Sequence, residues 1–317
     1  MNVKVATVQM ESRNGDYDGN RSRAEQHIIA AVKRGARLIA LPEFALAGYI
    51  FTDRIWEMAE PARGRTYRWM KSLSEKHNVY IGTCILEQDG DDFYDAFILT
   101  GPGKDEMWSH RKIEPAGYES YFFRGGGINL SVFQTPLGRI GVVICFDSSK
   151  SHTVSNLLRG GPDLVLMVFS CPGLPAIFTK KDRNNWIEVT REAPVRYAAI
   201  LGVPVISSNK CGGFSSPLPG LPGLTGNAEF VNIAMIVDPQ KNKITDIFKN
   251  EGVLVEEVLA GGGRTPEAET VPVGRWFLPY SLKIKTAMEV SLLQGMVRYR
   301  LSGKRKKAAS RAGSESR

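Results

Sequence analysis

Residues of reactive type stand at points where apolar runs of the sequence end. Cys145 lies at the end of the run 138–147, GRIGVVICFD, and a helical stretch follows at 151–160. A thiol on such a turn is exposed at the carboxyl edge of a sheet, where the N-terminus of the following helix favours the nucleophilic thiolate. Taken alone, however, Cys145 is better explained as one of the buried structural cysteines that are common in proteins.

A glutamate and a lysine occupy comparable positions earlier in the chain. Glu43 ends the apolar segment 37–43, RLIALPE, directly after Pro42. A carboxylate at the tip of a buried strand is either a helix cap or a site residue. Lys112 lies between Arg111 and Glu114, so by itself it is most simply explained by a surface salt-bridge cluster.

The three residues together form a much more specific pattern than any one of them alone. Glutamate at a strand tip, then lysine, then cysteine on a strand-to-helix turn, in this order and at these separations, resembles the nitrilase superfamily. This is the carbon–nitrogen hydrolase family of nitrilases, aliphatic amidases and N-carbamoyl amidases. The matching motifs are LPEF at 41–44, HRK at 110–112 and GVVICFD at 141–147. Further matches are VATVQM at 5–10, YESYFFRGG at 118–126 with Glu119, the helix and strand in 191–212 that end near Asn209, and 226–240. The resemblance covers most of residues 3–255.

The resemblance implies hydrolysis of a small carbon–nitrogen bond through a thioester. Cys145 attacks the carbonyl carbon, and Glu43 takes the thiol proton and returns it to the leaving amine. Lys112 and the backbone N–H of Phe146 stabilise the oxyanion. Glu119 orients Lys112 or the substrate. We expect the pKa of Glu43 to be raised, because this carboxyl must hold a proton during the reaction.

Other functions remain open at this point. A nitrilase is the main alternative, although such enzymes tend to carry Trp-Glu after the cysteine, whereas this chain has Phe146 and Asp147. An acyltransferase would pass the thioester to an amine rather than to water. A scaffold without activity is the weakest alternative, since it would be expected to lack one of the three residues. The sequence favours an amide or N-carbamoyl substrate.

The residues predicted to bind the substrate are Phe146, Asp147, Lys150 and Trp186. The chain departs from many amidases of the family after the cysteine, where it reads CFDSSKSHTVSN at 145–156. Lys150, His152 and a basic loop at 180–185, KKDRNN, lead us to expect an anionic or strongly polar substrate. The simpler alternative is helix capping by the serines, with Lys150 and the loop exposed to solvent.

The elements around these residues alternate between strands and helices, which indicates an α/β fold. Strands are predicted at 3–10, 37–43, 79–87, 94–100, 138–147, 163–169, 203–209 and 227–238, and helices at 18–34, 65–77, 151–160 and 182–201. We predict a single domain over residues 1–275. The family resemblance implies a four-layer αββα sandwich of the nitrilase type.

The C-terminal part is predicted to be an extension of this domain. Residues 276–303 carry apolar side chains at helical spacing, Ile284, Met288, Leu292, Met296 and Tyr299. Such a stripe could fold back on its own core, lie on a membrane or contact a partner subunit. The family resemblance favours the partner subunit, since C-terminal segments in that family commonly extend across the dimer, so we predict a homodimer or larger homo-oligomer. Residues 304–317 are low in complexity and are predicted to be a basic disordered tail.

Composition restricts the other classes of function. The 317 residues have a formal net charge of +8, and the last sixteen hold six basic residues against one acidic residue. The rest is only mildly basic, so no nucleic-acid partner is expected. The four cysteines and four histidines lack zinc-type spacing, and neither a metal nor a cofactor is expected. No apolar run has membrane-spanning length and the N-terminus does not resemble a secretory signal, which favours a cytoplasmic protein with reduced thiols.

Overall fold

The computed structural model describes residues 1–128, 131–218, 223–247, 250–261 and 273–315. The strands are β1 (Asn2–Met10), β2 (Leu38–Ala40), β3 (Tyr80–Asp89), β4 (Asp92–Thr100), β5 (Met107–Arg111), β6 (Val132–Thr135), β7 (Gly138–Ile144), β8 (Leu164–Val168), β9 (Val205–Lys210), β10 (Gly213–Pro217), β11 (Thr225–Glu229), β12 (Met235–Asp238), β13 (Lys243–Asp246) and β14 (Gly252–Leu259). The helices are α1 (Tyr17–Lys33), α2 (Arg65–His77), α3 (Ser151–Gly160), α4 (Lys180–Leu201), α5 (Leu282–Leu301) and α6 (Gly303–Glu315).

Most strands belong to two sheets that are joined along one short seam. The first sheet has the order β5-β4-β3-β2-β1-β14, and the second has the order β6-β7-β8-β9-β12-β13. Strands β1 and β9 join them through only two pairs, Gln9 with Asn209 and Met10 with Lys210. Beyond this seam the sheets separate and pack face to face.

Both faces of the first sheet are buried, because apolar side chains along its strands point alternately to one face and to the other. In β1, Val3 and Val5 point into the core shared with the second sheet, whereas Ala6, Val8 and Met10 pack in a separate apolar cluster. This second cluster contains the apolar faces of α1 and α2. Side chains of a strand alternate between faces with a period of two, so a strand covered on both sides is apolar at nearly every position.

The second sheet is covered in the same way by α3 and α4. Its parallel strands β7, β8 and β9 are buried along almost their whole length, and Leu157 of α3 and Tyr197 of α4 pack in the same cluster. The layers therefore run helix, sheet, sheet, helix. This confirms the predicted α/β sandwich in a single domain with a C-terminal helical extension.

Two predicted boundaries are wrong. Residues 180–185 form the first turns of α4 rather than a loop, because Thr179 caps this helix by accepting a hydrogen bond from the backbone N–H of Asp182 at 3.1 Å. The predicted strand 227–238 is divided into β11 and β12, with residues 230–234 between them. Strand β11 pairs with β10 in a separate two-stranded sheet.

The C-terminal extension folds back over its own domain. Helix α5 packs on the 3-10 helix Gly117–Tyr121 and buries Ile284, Leu292 and Tyr299, which belong to the predicted apolar stripe. The stripe is therefore covered largely within the chain, contrary to our expectation of a partner subunit. None of the helices in the described ranges is long and apolar enough to cross a membrane.

The prediction of a disordered tail over residues 304–317 is wrong for most of that segment. Helix α6 extends to Glu315, and Arg305 and Ala309 are buried. Lys304 Nζ lies 2.6 Å from Asp53 Oδ2, and an Arg305 N–H donates to Asp92 Oδ1 at 3.2 Å. Composition alone misses these acidic partners, which lie more than two hundred residues away in the sequence.

Candidate active site

Strand direction brings the three candidate residues to one edge of the sandwich. Strand β2 is parallel to β3, and β5 runs in the same direction because two antiparallel pairings separate it from β3. Glu43 follows β2 and Lys112 follows β5. Cys145 follows β7, which is parallel to β8 and β9 and, through β9, to β1. The carboxyl ends of all these strands lie at the same edge.

Cys145 occupies a sharp turn between β7 and the 3-10 helix Cys145–Ser149. Its φ angle is 44°, in the left-handed region that non-glycine residues adopt rarely. Such backbone conformations persist where the surrounding structure imposes them, and they are concentrated at functional sites. Phe44, directly after Glu43, has a similar φ of 49°. Both turns aim the end of a buried strand toward the site.

Lys112 is the centre of a buried charge cluster formed by Glu43, Asp95, Lys112 and Glu119. Its Nζ donates hydrogen bonds to Glu43 Oε1 and to Glu119 Oε2, each at 2.7 Å, and lies 3.2 Å from Asp95 Oδ2. All four side chains are at most 1% exposed. An ammonium group without water needs such partners, because burial of an unpaired charge is very unfavourable.

Glu119 is fixed by donors on both of its oxygens. Oε2 also accepts a hydrogen bond from the backbone N–H of Ala116 at 2.7 Å, and Oε1 accepts one from the Tyr49 hydroxyl. The Glu119 carboxylate is therefore held in place and, like Glu43, binds Lys112 Nζ. This agrees with an orienting role for Glu119.

The charge cluster determines the protonation of Glu43. Burial alone would raise the pKa of Glu43, but Lys112, together with a hydrogen bond from Asp95, outweighs it and the pKa is lowered. The expectation of a raised pKa is wrong, because the sequence does not reveal how close the ammonium lies. The pKa of Asp95 is raised well above its usual value by burial and by Glu43. Glu43 is thus a carboxylate, and Asp95 keeps its proton to a higher pH than an ordinary aspartic acid does.

The pKa of the Cys145 thiol is shifted in the direction opposite to that of Glu43. Its pKa is raised well above the usual value by a hydrogen-bonding contact with the Cys171 side chain, by burial and by the charge of Glu43. Burial would lower the pKa of Lys112, but Glu119 and Glu43 raise it, so this group stays an ammonium. At neutral pH the site thus contains a thiol, a carboxylate that can accept its proton and a fixed cation.

Asp147 connects the cysteine turn to the lysine segment. Its Oδ2 accepts a hydrogen bond from the backbone N–H of Ile113 at 2.9 Å, and its Oδ1 accepts one from Glu114 N–H at 3.0 Å. Asp147 is 1% exposed and does not line the cavity onto which Cys145 opens. The structure assigns it to positioning rather than to substrate contact.

Lys150 does not face the cavity either. Its buried Nζ lies 2.9 Å from Glu114 Oε1 and 3.0 Å from Glu289 Oε1, and 3.7 Å from the centre of the Trp276 ring. Two carboxylates compensate its charge, so it is not available to bind an anionic substrate. His152 and the 180–185 segment are also absent from the lining. The expectation of an anionic substrate loses its structural basis.

Cys145 opens onto a cavity of about 110 Å³, which we call the Cys145 pocket. Phe146 and Trp186, two of the residues predicted to bind the substrate, belong to its lining. Trp186 stacks on Tyr280 at 4.9 Å between ring centres, and its Nε1–H donates to the Pro172 carbonyl at 2.9 Å. The aromatic wall of the pocket consists of Tyr49, Phe51, Tyr118, Phe146, Phe169, Phe178, Trp186, Phe214 and Tyr280.

The C-terminal extension closes one side of this pocket. Ala287, Met288 and Ser291 of α5 belong to the lining. Met288 packs closely on Gly117, where a Cβ atom would lie 3.1 Å from Met288 Sδ. The sequence predicts an oligomer contact for this segment and does not reveal its place in the site.

Several buried polar residues near the site were not predicted. Asp95 belongs to the charge cluster, and the Tyr49 hydroxyl donates a hydrogen bond to Glu119 of that cluster. Lys210 follows Asn209 at the end of β9. Burial lowers the pKa of Lys210 to about 7. Among the described residues its Nζ has no hydrogen-bond partner. Asn209, which the sequence does indicate, accepts a hydrogen bond at Oδ1 from the backbone N–H of Cys171 at 3.0 Å and so fixes the loop that carries the second thiol.

Three carboxylates of the charge cluster could in principle hold a cation. Oxygen atoms of Glu43, Asp95 and Glu119 lie within 4.8 Å of one another. Lys112 Nζ is within 3.2 Å of an oxygen of each, so the lysine supplies positive charge at the position that a metal ion would take.

Comparison with known proteins agrees with this geometry. The family model "Carbon-nitrogen hydrolase" matches residues 4–261. The chain is 29% identical over 256 residues to a nitrilase of Pyrococcus abyssi, covering 78% of this chain and 97% of the relative. It is 25% identical over 219 residues to a citrullinase of Francisella tularensis, covering 66% of this chain and 74% of the relative.

The solved structures show the same fold. A carbon–nitrogen hydrolase from Helicobacter pylori G27 superposes with a TM-score of 0.71 over 94% of both chains, at 14% sequence identity. The match of the family model extends from β1 through β14, and so includes Glu43, Lys112, Glu119 and Cys145. The chain therefore belongs to the carbon–nitrogen hydrolase family, within the nitrilase superfamily.

Proposed function

We propose that the protein is a cysteine-dependent hydrolase of a small amide or N-carbamoyl compound that reacts through a thioester. The observation that carries the proposal is the position of Lys112 Nζ, 2.7 Å from both Glu43 and Glu119, in a buried cluster whose charges act on Cys145. This arrangement combines a nucleophile, a base and a cation in one site shielded from water.

The chemistry follows from the protonation states. The Cys145 thiol gives its proton to the Glu43 carboxylate as sulfur attacks the carbonyl carbon. The oxyanion is stabilised by Lys112 and by the Phe146 N–H, and loss of one such donor typically costs about 10²–10³ in rate. Protonated Glu43 then delivers the proton to the departing amine, which leaves a thioester. Glu43 next activates water, and hydrolysis releases the acid and restores the thiol.

The remaining predicted residues support this scheme in different ways. Glu119 orients Lys112 through its own fixed carboxylate. Phe146 and Trp186 are proposed to contact the substrate as walls of the Cys145 pocket. Asp147 and Lys150 act at a distance, since each is engaged by other parts of the chain.

Intact mass spectrometry of the protein with a panel of amides and N-carbamoyl compounds tests the proposal. A transient acyl adduct together with released ammonia or amine supports it. Cys145→Ala should remove both, whereas Cys211→Ala, at a buried thiol outside the Cys145 pocket, should retain them. An adduct that persists in Cys145→Ala means that another residue is the nucleophile.

A nitrilase is the second candidate, and the similarity to the Pyrococcus abyssi nitrilase favours it. Attack of the same thiol on a nitrile carbon gives a thioimidate, which water converts to an acid and ammonia. Measurement of ammonia from matched nitrile and amide pairs separates the two reactions. An acyltransferase is distinguished by adding an amine and measuring whether a new amide replaces the acid.

A homodimer remains part of the proposal. Helix α5 exposes an apolar row formed by Val290, Leu293, Val297 and Leu301, which are 47–77% exposed. A second copy would cover it, and sedimentation of the wild type and of Leu293→Glu tests this assignment. A cytoplasmic location is also proposed, since all four cysteines are free thiols, as is usual in a reducing compartment.

A further inference from the structure

We propose that the substrate of the Cys145 pocket carries an uncharged apolar group about the size of one aromatic ring. The inference rests on the proposed function and specifies the substrate class of that site. It comes from the lining of the pocket, which differs from the polar surroundings that the sequence suggested.

The pocket presents aromatic and aliphatic surface to its occupant. Besides the aromatic wall, it is lined by Leu174, Leu218, Ala228, Ala287 and Met288. Among the described residues, none of the lining side chains is charged. An apolar ring buried here is removed from water and gains ring–ring contacts, and both effects favour binding.

Two cations that lie behind the wall of the pocket, Lys150 and Lys283, are already neutralised by carboxylates. Lys150 lies behind Phe146 and is bound by Glu114 and Glu289. Lys283, 5.7 Å from the centre of the Phe178 ring, lies 3.4 Å from Asp182 Oδ2. A charged substituent in the pocket would lose its hydration without finding a counter-ion, which is strongly unfavourable.

The lining side chains that carry a hydroxyl group are Tyr49, Tyr118, Ser148, Ser149, Ser170, Thr190, Tyr280 and Ser291, and several of these groups are engaged within the protein. Thr190 Oγ1 shares a hydrogen bond with the Tyr280 hydroxyl at 2.8 Å, and Ser149 Oγ donates to the Phe146 carbonyl at 2.7 Å. Ser170 Oγ is fully buried and has no hydrogen-bond partner among the described residues. A neutral ring with one hydrogen-bonding group therefore suits the lining, whereas a zwitterion does not.

The volume of the pocket limits the size of the group. An engineered apolar cavity of about 150 Å³ accommodates benzene. The Cys145 pocket is of the same order, at about 110 Å³. Met288 forms the side contributed by α5, and its flexible unbranched side chain is suited to close over a ring. We therefore assign Met288 as the residue that sets the upper size limit.

Matched substrates test the inference. The panel consists of acetamide, phenylacetamide, 4-carboxyphenylacetamide and 4-(aminomethyl)phenylacetamide, together with the four corresponding nitriles. Phenylacetamide or its nitrile is expected to have a kcat/KM about 100-fold or more above both charged analogues, because neither charge finds a partner. Its kcat/KM should also exceed that of acetamide, or that of acetonitrile in the nitrile series. A charged analogue or acetamide that equals the neutral ring overturns the inference.

Failure of the proposed function gives a different result. In that case none of the eight compounds yields product or an acyl adduct. The rate at which iodoacetamide alkylates Cys145 then still decides the substrate class. Protection by phenylacetamide but not by its charged analogues supports the uncharged ring, and protection by a charged analogue as strong as that by phenylacetamide refutes it.

Variants of α5 test the assignment of Met288. Met288→Ala should raise kcat/KM for 2-naphthylacetamide relative to phenylacetamide by about 10-fold, the usual scale of shape discrimination in an apolar pocket. The control is Met296→Ala, on the same helix but outside the Cys145 pocket, which should leave this ratio unchanged. An unchanged ratio in Met288→Ala, or an equal change in Met296→Ala, removes the assignment.

Discussion

Asp147 Oδ2 accepts a hydrogen bond from the backbone N–H of Ile113 at 2.9 Å, which fixes the segment after Lys112 against the turn that carries Cys145. These segments belong to different sheets, so the bond links the two halves of the site. The nucleophile and the cation consequently keep a constant separation although they are 33 positions apart in the sequence. Asp147 thus controls the site without touching the pocket.

We expect Asp147→Ala to reduce both stability and turnover. It leaves the N–H groups of Ile113 and Glu114 without their acceptor, and each unsatisfied buried group costs about 1–3 kcal/mol. Asp147→Asn keeps one acceptor oxygen and should lose less. Urea unfolding and kcat measure the two effects. Equal stability of both variants and the wild type would show that these hydrogen bonds are dispensable.

Glu43→Gln should block acylation while leaving the fold intact. The amide cannot accept the thiol proton, and general-base catalysis is typically worth about 10²–10⁴ in rate. Single-turnover formation of the acyl adduct is the appropriate measurement. Glu57→Gln, at an exposed position, is a suitable control. Normal acylation in Glu43→Gln would identify another residue as the base.

Cys171→Ala should make Cys145 ionise at lower pH. The side-chain contact with Cys171 is the largest cause that raises the pKa of the Cys145 thiol, so its removal favours the thiolate. The pH midpoint of Cys145 alkylation by iodoacetamide should decrease, and Cys211→Ala serves as the control at a thiol outside both the Cys145 pocket and the charge cluster. An unchanged midpoint would mean that burial and Glu43 alone determine the pKa.

The sequence reveals residues of the site that stand at strand ends within family motifs, such as Glu43, Lys112 and Cys145. It does not reveal Asp95, which lies within β4 and comes next to Lys112 only through the pairing of β4 with β5. An acidic residue inside the apolar segment FYDAFILT is the signal that could have found it. The role of a charged residue is equally ambiguous when its partner is unknown. The sequence suggests that Lys150 binds the substrate, because its partner Glu289 lies 139 residues away.

Deletion of residues 303–317 should lower the melting temperature and preserve the specificity of the site. Helix α6 buries Arg305 and Ala309, but none of its described side chains lines the Cys145 pocket. The ratio of kcat/KM values among the amides should therefore not change. Arg305→Ala is a milder variant that removes the contacts to Asp91, Asp92 and the Tyr299 ring. Full retention of the melting temperature after the deletion would show that α6 adds nothing to stability.

Lys210→Met should stabilise the protein, and the gain should depend on pH. The buried amine has no hydrogen-bond partner among the described residues, and burial lowers its pKa from about 10.5 to about 7. Below pH 7 both the folded and unfolded chains carry the proton, so the full cost of the buried charge is present. Between pH 7 and pH 10.5 the unfolded chain binds more protons than the folded one, and wild-type stability rises with pH.

The advantage of Lys210→Met should consequently be greatest near pH 6 and should shrink toward pH 10. Between pH 6 and pH 10 this gain in stability should change by an amount on the order of a few kcal/mol, because one pKa unit corresponds to about 1.4 kcal/mol. Urea unfolding at the two pH values measures it, with Lys76→Met as a control at an exposed position. Because Lys210 also helps to lower the pKa of Glu43, the acidic limb of the kcat/KM profile should move to higher pH in Lys210→Met. A stability difference that is the same at pH 6 and pH 10 would show that Lys210 keeps its ordinary pKa in the folded protein.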